Sequence, residues 1–424
     1  MRSGAVLVRD GVIAEVGRAA DIRVPVGAEL IDLTGSVLIP GLVDAHCHLE
    51  WALMGDLVPP GPFGQWLAGF MQVRPRIREG DQARAARWAA LTALRAGTTT
   101  MADSGPTGAG VAALTQAGLR GVVHLEVFGR DTGAAARERA REHAHTVAAL
   151  LDASGPRVTV GVSPHAPYSV GPDLWWALRD DPSLGQRPFA THIAESPDEV
   201  RLLESGDGPI ADLFAAAGME PGRWPRGGPG PVSRLDGGKV LAEGLVAAHC
   251  VRVGAGDAAM LAMRDVRVAH CPQSNDRLSC GTAPVGMLED AGVTVGLGTD
   301  SPASAGEYDL RAEARAAGLA ATRLGRPRDA AGLLALATLG SARVLGMDHL
   351  VGAITPGRRA DLVAVRPAPG VDPCDDPAAA VLDAAAEVVW VAVDGQVLLR
   401  DRTPTSVDPQ RIQTDADEAR QALR

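Results

Sequence analysis

Apolar and polar positions alternate near both ends of the chain, between turn signals such as Asp10-Gly11 and Asp394-Gly395. This alternation is typical of short antiparallel strands. The predicted strands lie at residues 6–8, 12–16, 30–33, 37–39, 361–365, 388–393 and 396–399. Because the edge strands of a sheet need partners, we expect both ends of the chain to pair in one small β domain.

The middle of the chain, from Pro40 to about Thr322, alternates short apolar runs with segments of helical period. Eight strands are predicted to end within residues 46–48, 98–103, 122–126, 158–163, 191–192, 246–249, 266–270 and 293–300. Helices are predicted at residues 82–95, 134–151, 199–217, 310–321 and 333–345. Eight parallel strands joined by crossover helices close into a barrel. The predicted fold class is α/β, a (β/α)8 TIM barrel with a small β-sandwich built from both chain termini.

These patterns divide the chain into a catalytic barrel at residues 41–350 and a β-sandwich assembled from residues 1–40 and 351–424. The last segment also carries a charged surface helix, predicted over residues 407–424. Residues 220–238 are dense in glycine and proline and predict a long loop beside the mouth of the barrel.

The composition, 46% hydrophobic and 22% charged, is that of a globular chain with a large core. A net charge of −10 repels phosphate backbones and anionic lipid, so we expect a small-molecule partner and neither nucleic acid nor membrane. The five cysteines form no C-x-x-C pair, and the sequence shows neither a signal peptide nor a membrane span. We therefore expect a cytoplasmic protein. A homodimer is possible.

Two H-x-H pairs differ in what they can bind. His46 and His48 end the first barrel strand, where side chains two residues apart share a face and can reach one metal ion. His143 and His145 lie in a helical run, where residues two apart are about 200° apart around the axis. We expect the second pair to be solvated and unable to share a metal.

Other strands of the predicted barrel also end in possible metal ligands. The residues at these ends are His165, His192, His249, His270 and Asp300. Barrel enzymes keep their chemistry at the carboxyl ends of the strands, so this shared placement predicts a metal site there.

The motifs PGLVDAHCH, THIAE, AAHC, HCPQSN and LGTDSPAS together resemble the amidohydrolase superfamily, in its deaminase and chlorohydrolase branch. The resemblance covers nearly the whole chain. It implies that one catalytic divalent ion, Zn²⁺ or alternatively Fe²⁺ or Mn²⁺, is held by His46, His48, His192 and Asp300. It also implies that His249 hydrogen-bonds the metal's water or the substrate rather than coordinating.

Some members of this superfamily bridge two metals with a carbamylated lysine that ends the fourth strand. Lys239 is the only lysine here and lies in a glycine-rich loop, so that centre is excluded. Glu126, on the third strand, could support a second metal and is otherwise expected to contact substrate.

The resemblance implies hydrolytic deamination of a 6-aminopurine nucleoside, with hydroxide on the metal attacking C6. Glu195 is expected to deliver a proton to the ring nitrogen, as a glutamate outside the ligand set does in other zinc deaminases. Asp300 would accept the proton of the water, and His249 would stabilise the tetrahedral centre. The alternative for Glu195 is a carboxylate that caps the helix beginning at Ser196-Pro197.

The run HLEWALMGDLVPPGPFGQWL most resembles the aminodeoxyfutalosine deaminases of menaquinone biosynthesis, which implies 6-amino-6-deoxyfutalosine as substrate. Deamination of S-adenosylhomocysteine, methylthioadenosine or guanine, triazine dechlorination, and a non-enzymatic metal-binding barrel with a structural or regulatory role remain alternatives. An arginine such as Arg130 or Arg234 could bind the benzoate carboxylate of 6-amino-6-deoxyfutalosine. The candidate substrate contacts, each of which could instead be wall packing or an ion pair, are His165, Glu126, Glu50, Trp66 and Arg130.

Overall fold

A computed structural model describes residues 2–219 and 230–424. Its strands are β1 (Gly4–Arg9), β2 (Val12–Arg18), β3 (Val37–Pro40), β4 (Leu42–Cys47), β5 (Thr98–Gly105), β6 (Arg120–Val127), β7 (Val158–Pro164), β8 (Ala190–Ile193), β9 (Val246–His249), β10 (Arg267–His270), β11 (Val295–Leu297), β12 (Leu362–Arg366), β13 (Glu387–Val393), β14 (Gln396–Arg400) and β15 (Thr403–Pro404).

The α-helices are α1 (Phe63–Val73), α2 (Asp81–Arg95), α3 (Gly110–Ala117), α4 (Gly133–Asp152), α5 (Pro172–Asp180), α6 (Pro197–Ser205), α7 (Pro209–Ala216), α8 (Gly230–Gly237), α9 (Ala255–Met263), α10 (Pro272–Arg277), α11 (Val285–Asp290), α12 (Leu310–Arg323), α13 (Ala330–Ala335), α14 (Ser341–Val344), α15 (Pro377–Leu382) and α16 (Pro409–Leu423). Short 3₁₀ turns cover Leu49–Met54 and Arg74–Arg76, and a π-helical turn joins α13 to α14 at Leu336–Gly340. Within the described ranges, none of these helices is both long and apolar enough to span a bilayer.

The eight strands β4 to β11 pair in parallel and close into a barrel, as the sequence predicts. One seam joins β7 to β8, where the Val162 N–H donates to the Pro188 carbonyl oxygen at 2.9 Å. The other seam joins β4 to β11, where the His48 N–H donates to the Asp300 carbonyl oxygen at 2.9 Å. Two predicted metal ligands therefore meet across a closing seam.

The two ends of the chain meet in the predicted β-sandwich. A five-stranded antiparallel sheet has the order β15-β14-β13-β12-β3, so β3 from the N-terminal segment is its edge strand beside β12. The β1–β2 hairpin covers one face of this sheet, where Ile13 packs with Leu362 and Trp390. The opposite face, which includes Val363 and Val391, packs into the barrel core.

Ion pairs attach the sandwich to the amino-terminal end of the barrel strands. Arg120, which begins β6, donates to Asp361 at 3.0 Å and to Asp394 at 2.6 Å. Asp394 also accepts from Arg157 at 2.6 Å and from Arg359. Partial burial would raise the pKa of Asp394, but hydrogen bonds from Arg359 and Arg157 hold that pKa below its ordinary value.

Three predicted elements differ from the structure. Residues 30–33 form no strand, because the Asp32 carboxylate accepts from the Thr34 N–H and the Leu33 carbonyl oxygen accepts from the Ser36 N–H in a turn. The side chains of Ile31 and Leu33 pack against the β-sandwich. The single helix predicted over 199–217 is two helices, α6 and α7, since Gly206 adopts a left-handed conformation with φ 76° and ends the first. The predicted loop at 220–238 contains α8, and its residues 220–229 lie outside the described part of the chain.

The prediction that both histidines of the second H-x-H pair are solvated is wrong for His143. Ala136, Ala140, His143 and Val147 form the buried face of α4, and His145 is exposed. Burial lowers the pKa of His143 to about 4. The C-terminal helix α16 matches its prediction, and its buried face, which includes Ala416 and Leu423, packs on α2.

Candidate metal centre

The carboxyl ends of the barrel strands carry the candidate site, and the backbone there is unusual. Ala194, His249 and Asp300 have positive φ angles of 53°, 72° and 57°, in the left-handed region that non-glycine residues rarely occupy. Such conformations cost free energy and persist only where surrounding contacts hold them, and they cluster at functional sites. Here they lie at the end of β9 and just after β8 and β11.

Three histidines converge at the centre of this end. Ring nitrogens of His46, His48 and His192 all lie within 4.8 Å of one another, and the Nε2 atoms of His48 and His192 are 3.1 Å apart. His48 Nδ1 lies 2.7 Å from the Ser104 carbonyl oxygen, and His192 Nδ1 lies 2.8 Å from that of His165. A carbonyl oxygen only accepts, so both Nδ1 atoms carry protons and both Nε2 atoms present lone pairs.

Asp300 adds a carboxylate to this cluster. Its Oδ1 lies 3.5 Å from His48 Nε2, and its Oδ2 accepts a hydrogen bond from the Ser274 hydroxyl at 2.6 Å. Ser274 belongs to α10 and thereby fixes the orientation of a group that follows β11.

The donor set suits a divalent cation. Burial, reinforced by neighbouring histidines, lowers the pKa of His46 and His192 well below the ordinary value, so both rings are neutral at physiological pH. Buried His46 Nε2 has no hydrogen-bond partner among the described residues, although buried polar atoms normally have one. Three neutral imidazoles and a carboxylate match the ligands of zinc and similar ions.

A second cluster adjoins the first and shares Asp300. Glu195, His249 and Asp300 bring ligand-type atoms within 4.8 Å of one another. His249 Nε2 lies 3.7 Å from Glu195 Oε1 and 4.0 Å from Asp300 Oδ2, while its Nδ1 lies 3.0 Å from the Asn275 side-chain oxygen. Burial and the charge of Asp300 raise the pKa of Glu195 well above its ordinary value.

The Glu195 side chain does not cap helix α6, which was the alternative role considered for it. The N-cap of α6 is Ser196, whose hydroxyl accepts from the Glu199 N–H at 3.1 Å. The Glu195 carboxylate faces His249 instead.

Glu126 and His165 lie on the other side of His192, and the three could together reach an ion. Glu126 Oε1 is buried without a hydrogen-bond partner among the described residues and lies 3.9 Å from His48 Nδ1. The His165 ring is 4.8 Å from that of His192. Because His192 has one lone pair to offer, it cannot serve two ions at once. This geometry favours one metal, with Glu126 and His165 beside its ligands.

The other predicted substrate contacts have structural partners. Glu50 accepts hydrogen bonds from the Thr107 and Ala109 N–H groups at 3.1 and 3.2 Å and so holds the loop after β5. The Trp66 indole donates to the Ala303 carbonyl oxygen at 2.8 Å.

The two arginines considered for a substrate carboxylate are also placed by the fold. Arg130 donates to the Tyr168 carbonyl oxygen at 3.0 Å and stacks over the Phe214 ring at 4.7 Å. Arg234 is buried within α8. A third arginine, Arg74, is exposed just after α1, with its guanidinium 5.9 Å from the Phe128 ring.

Neither Arg74 nor the roles of Ser274 and Asn275 could be singled out from the sequence. The last two lie in the HCPQSN motif, so the motif located them without indicating that they orient Asp300 and His249. Asp44 is a similar case within DAHCH. It accepts hydrogen bonds from the His46 N–H at 3.3 Å and from the Thr299 hydroxyl at 2.6 Å, across the seam between β4 and β11.

Known proteins resemble this chain over nearly its full length. The amidohydrolase family model matches residues 37–398. A 5-methylthioadenosine/S-adenosylhomocysteine deaminase of Pelotomaculum thermopropionicum is 31% identical, over 100% of this chain and 94% of that protein. A 5'-deoxyadenosine deaminase of Methanothermobacter thermautotrophicus is 33% identical, over 95% of this chain and 90% of that protein.

Solved structures also resemble this chain over nearly its full length. An adenosine deaminase from Xanthomonas campestris with bound zinc superposes with a TM-score of 0.83 at 28% identity, covering 100% of this chain and 94% of that one. An atrazine chlorohydrolase from Arthrobacter aurescens, complexed with zinc, has a TM-score of 0.80 at 24% identity, covers 98% and 94% of the two chains, and shows a shared fold. The family match across the barrel and the full-length relatives confirm the expectation drawn from the motifs: this chain belongs to the amidohydrolase family of hydrolytic enzymes.

Proposed function

We propose that the protein is a metal-dependent deaminase of 6-aminopurine nucleosides. The observation that carries the proposal is that Asp300 joins two clusters, a histidine set suited to one cation and a Glu195–His249 pair beside it. A structural metal site normally closes its coordination sphere and needs no buried acid next to it. This pairing therefore favours catalysis over a structural or regulatory metal site.

His46, His48, His192 and Asp300 would hold the ion, for which we propose zinc. A divalent cation there would lower the pKa of a bound water molecule towards neutrality. Asp300 is placed to take a proton from water, because its Oδ2 faces His249 and is oriented by Ser274. We assign one ion rather than two because His192 cannot be shared.

Glu195 is the proposed proton donor to the ring nitrogen of the purine. Loss of ammonia from C6 requires a proton on the ring and another on the departing amine. Glu195 is buried beside His249, and the hydrogen bond that His249 Nδ1 donates to the Asn275 side-chain oxygen fixes how that ring faces the carboxylate. We assign His249 to the oxygen that develops at C6.

Relatives named as adenosine-type deaminases support a purine nucleoside as substrate. Among such nucleosides we propose 6-amino-6-deoxyfutalosine, whose benzoate would need a cation at the mouth of the barrel. Arg74 fits that need better than Arg130 or Arg234. A series of ring contacts connects it to the cation set. The His192 and His165 rings are 4.8 Å apart, and the His165 and Phe128 rings are 4.6 Å apart. The Arg74 guanidinium lies 5.9 Å from the Phe128 ring.

The same cation would also suit the carboxylate of S-adenosylhomocysteine, which is the second candidate and is favoured by the name of a 31% identical relative. Methylthioadenosine and 5'-deoxyadenosine carry no anionic group, so Arg74 would not strengthen their binding. We also propose a cytoplasmic location, since all five cysteines are unbridged.

The test is ammonia release from protein of measured metal content, with a panel of 6-amino-6-deoxyfutalosine, S-adenosylhomocysteine, 5'-deoxyadenosine, guanine and a chlorotriazine. We expect turnover of the adenine nucleosides, with the highest kcat/KM for an anionic one. Glu195→Gln should keep its metal and lose kcat by about 10²–10⁴-fold. Turnover of guanine or the triazine alone would contradict the proposal.

The role of Arg74 has its own comparison within that panel. Arg74→Ala should raise KM for the anionic nucleosides by about tenfold while leaving 5'-deoxyadenosine unchanged. Arg78→Ala is the matched control, because Arg78 is exposed a few residues further along the chain. An equal effect of Arg74→Ala on charged and uncharged nucleosides would remove Arg74 from substrate recognition.

A further inference from the structure

Glu199, on the first turn of α6, contacts the backbone that carries Glu195. Its side chain is buried, and its two carboxylate oxygens accept from the Ala194 N–H at 3.1 Å and the Glu195 N–H at 2.7 Å. Both hydrogen bonds have a carboxylate acceptor. Burial raises the pKa of Glu199 to about 8, while these two N–H groups pull the pKa down because they favour the ionised form.

The other side of the same backbone is held by the loop that follows His249. The Ala194 carbonyl oxygen accepts from the Val251 N–H at 3.0 Å and from the Arg252 N–H at 2.8 Å. Ala194 is therefore fixed from both sides in its left-handed conformation, φ 53°. Glu195 is the next residue after Ala194, and His249 immediately precedes the loop that holds Ala194. The Glu195 carboxylate and the His249 ring approach each other to 3.7 Å.

Helix capping alone does not explain where the Glu199 carboxylate lies. In a capping box the glutamate at the third helical position bonds the N–H of the N-cap residue, which here is Ser196. The Glu199 carboxylate instead reaches the two residues before the N-cap. The Ser196 hydroxyl supplies the other half of the cap, by accepting from the Glu199 N–H.

We propose that Glu199 is a positioning residue that holds the Glu195 carboxylate in register with His249 for proton transfer. This inference rests on the proposed function, in which Glu195 donates a proton to the substrate. Among the described residues, the Glu199 carboxylate is hydrogen-bonded to the 194–195 backbone and to no member of the cation set, so it acts through that backbone.

Glu199→Gln is the direct perturbation. A glutamine has one oxygen acceptor, and its amide NH₂ cannot accept the second backbone N–H. A shift of about 1 Å in a reacting group can cost about 10²-fold in rate, so we expect kcat to fall by about that factor with KM and bound metal unchanged. Glu199→Asp keeps both acceptors and should recover part of the loss. Glu204→Gln, an exposed change on the same helix, is the matched control and should leave kcat unaltered.

A double-mutant cycle with Glu195→Gln separates positioning from general damage. If Glu199 acts through Glu195, adding Glu199→Gln to Glu195→Gln should cause no further loss of kcat. A further loss of about 10²-fold in the double variant, or a loss of metal from Glu199→Gln alone, would overturn the inference.

Amide hydrogen exchange distinguishes failure of this inference from failure of the proposed function. Exchange of at least one of the Ala194 and Glu195 amides should accelerate by about tenfold in Glu199→Gln at an unchanged global unfolding midpoint. If the wild-type protein deaminates no nucleoside, the proposed function fails whatever the exchange result. Unchanged exchange at these two amides would refute the positioning role even in an active enzyme.

Discussion

Arg120→Met should destabilise the protein without changing its turnover. The substitution removes three hydrogen bonds from the Arg120 guanidinium, two to Asp361 and one to Asp394. Asp394 keeps its bonds from Arg157 and Arg359, but the Asp361 carboxylate, with a side chain only 1% exposed, keeps only the Asp394 N–H. The cost is therefore set by one uncompensated buried carboxylate.

Breaking a buried ion pair by removing one partner costs about 3–5 kcal/mol. With an unfolding entropy of about 2.1 cal/mol/K per residue, this loss lowers the midpoint of a chain of 424 residues by roughly 3–6 °C. The ion pairs lie at the amino-terminal end of the barrel strands, whereas the metal candidates lie at the carboxyl end. We therefore expect kcat and KM at 25 °C to match the wild-type values.

Denaturant unfolding and steady-state kinetics on the same preparation test both halves of this prediction. Adding Asp361→Asn to Arg120→Met removes the orphaned charge and should restore much of the lost stability. A loss below about 1 kcal/mol in the single variant would refute the claim that this pair anchors the sandwich. If kcat falls and stays low in the stabilised double variant, the ion pairs at the amino-terminal end of the strands do affect turnover at the carboxyl end, contrary to this prediction.

Two further predictions concern buried positions on the outer helices. In the folded protein the pKa of His143 is about 4, below its unfolded value near 6.5. Because the unfolded state therefore binds a proton more readily, the free energy of unfolding falls as pH drops from about 6.5 to 4. His143→Leu should flatten this acid limb, measured as unfolding free energy against pH, and an unchanged limb would exclude His143 as its source. Ala416→Asp should cost about 3 kcal/mol by burying a charge between α16 and α2, while Thr414→Asp on the exposed face should be neutral in the same denaturant titration. Equal effects of the two aspartates would contradict the packing of α16.

The barrel could be predicted because its strands are short apolar runs separated by helical segments of regular period. Strand geometry puts residues two apart on one face, so His46 and His48 could be paired from their spacing alone. His192 and Asp300 joined the ligand set only through the family resemblance of their motifs. His143 shows the converse. Its spacing from Ala136, Ala140 and Val147 follows the buried face of a helix, and that signal would have predicted burial.

Other features depend on turns that no local pattern describes. The reach of Glu199 to the backbone of residue 194 depends on a left-handed alanine held by a loop from the next strand. Arg74 follows α1 in sequence, and only the folded chain brings its guanidinium within 5.9 Å of the Phe128 ring. Residues 30–33 have the apolar spacing of a strand, yet Asp32 takes up a backbone N–H and the segment pairs with no strand.

We propose one catalytic cation, held by three histidines and Asp300 beside a proton-transferring pair. Metal-stripped protein titrated with Zn²⁺ tests it most directly, with ammonia release from 6-amino-6-deoxyfutalosine and S-adenosylhomocysteine measured at each step. We predict that activity rises in proportion to bound zinc, reaches its plateau at one equivalent, and is absent from the stripped protein. Activity that survives metal removal, or that requires a second equivalent, would contradict the account.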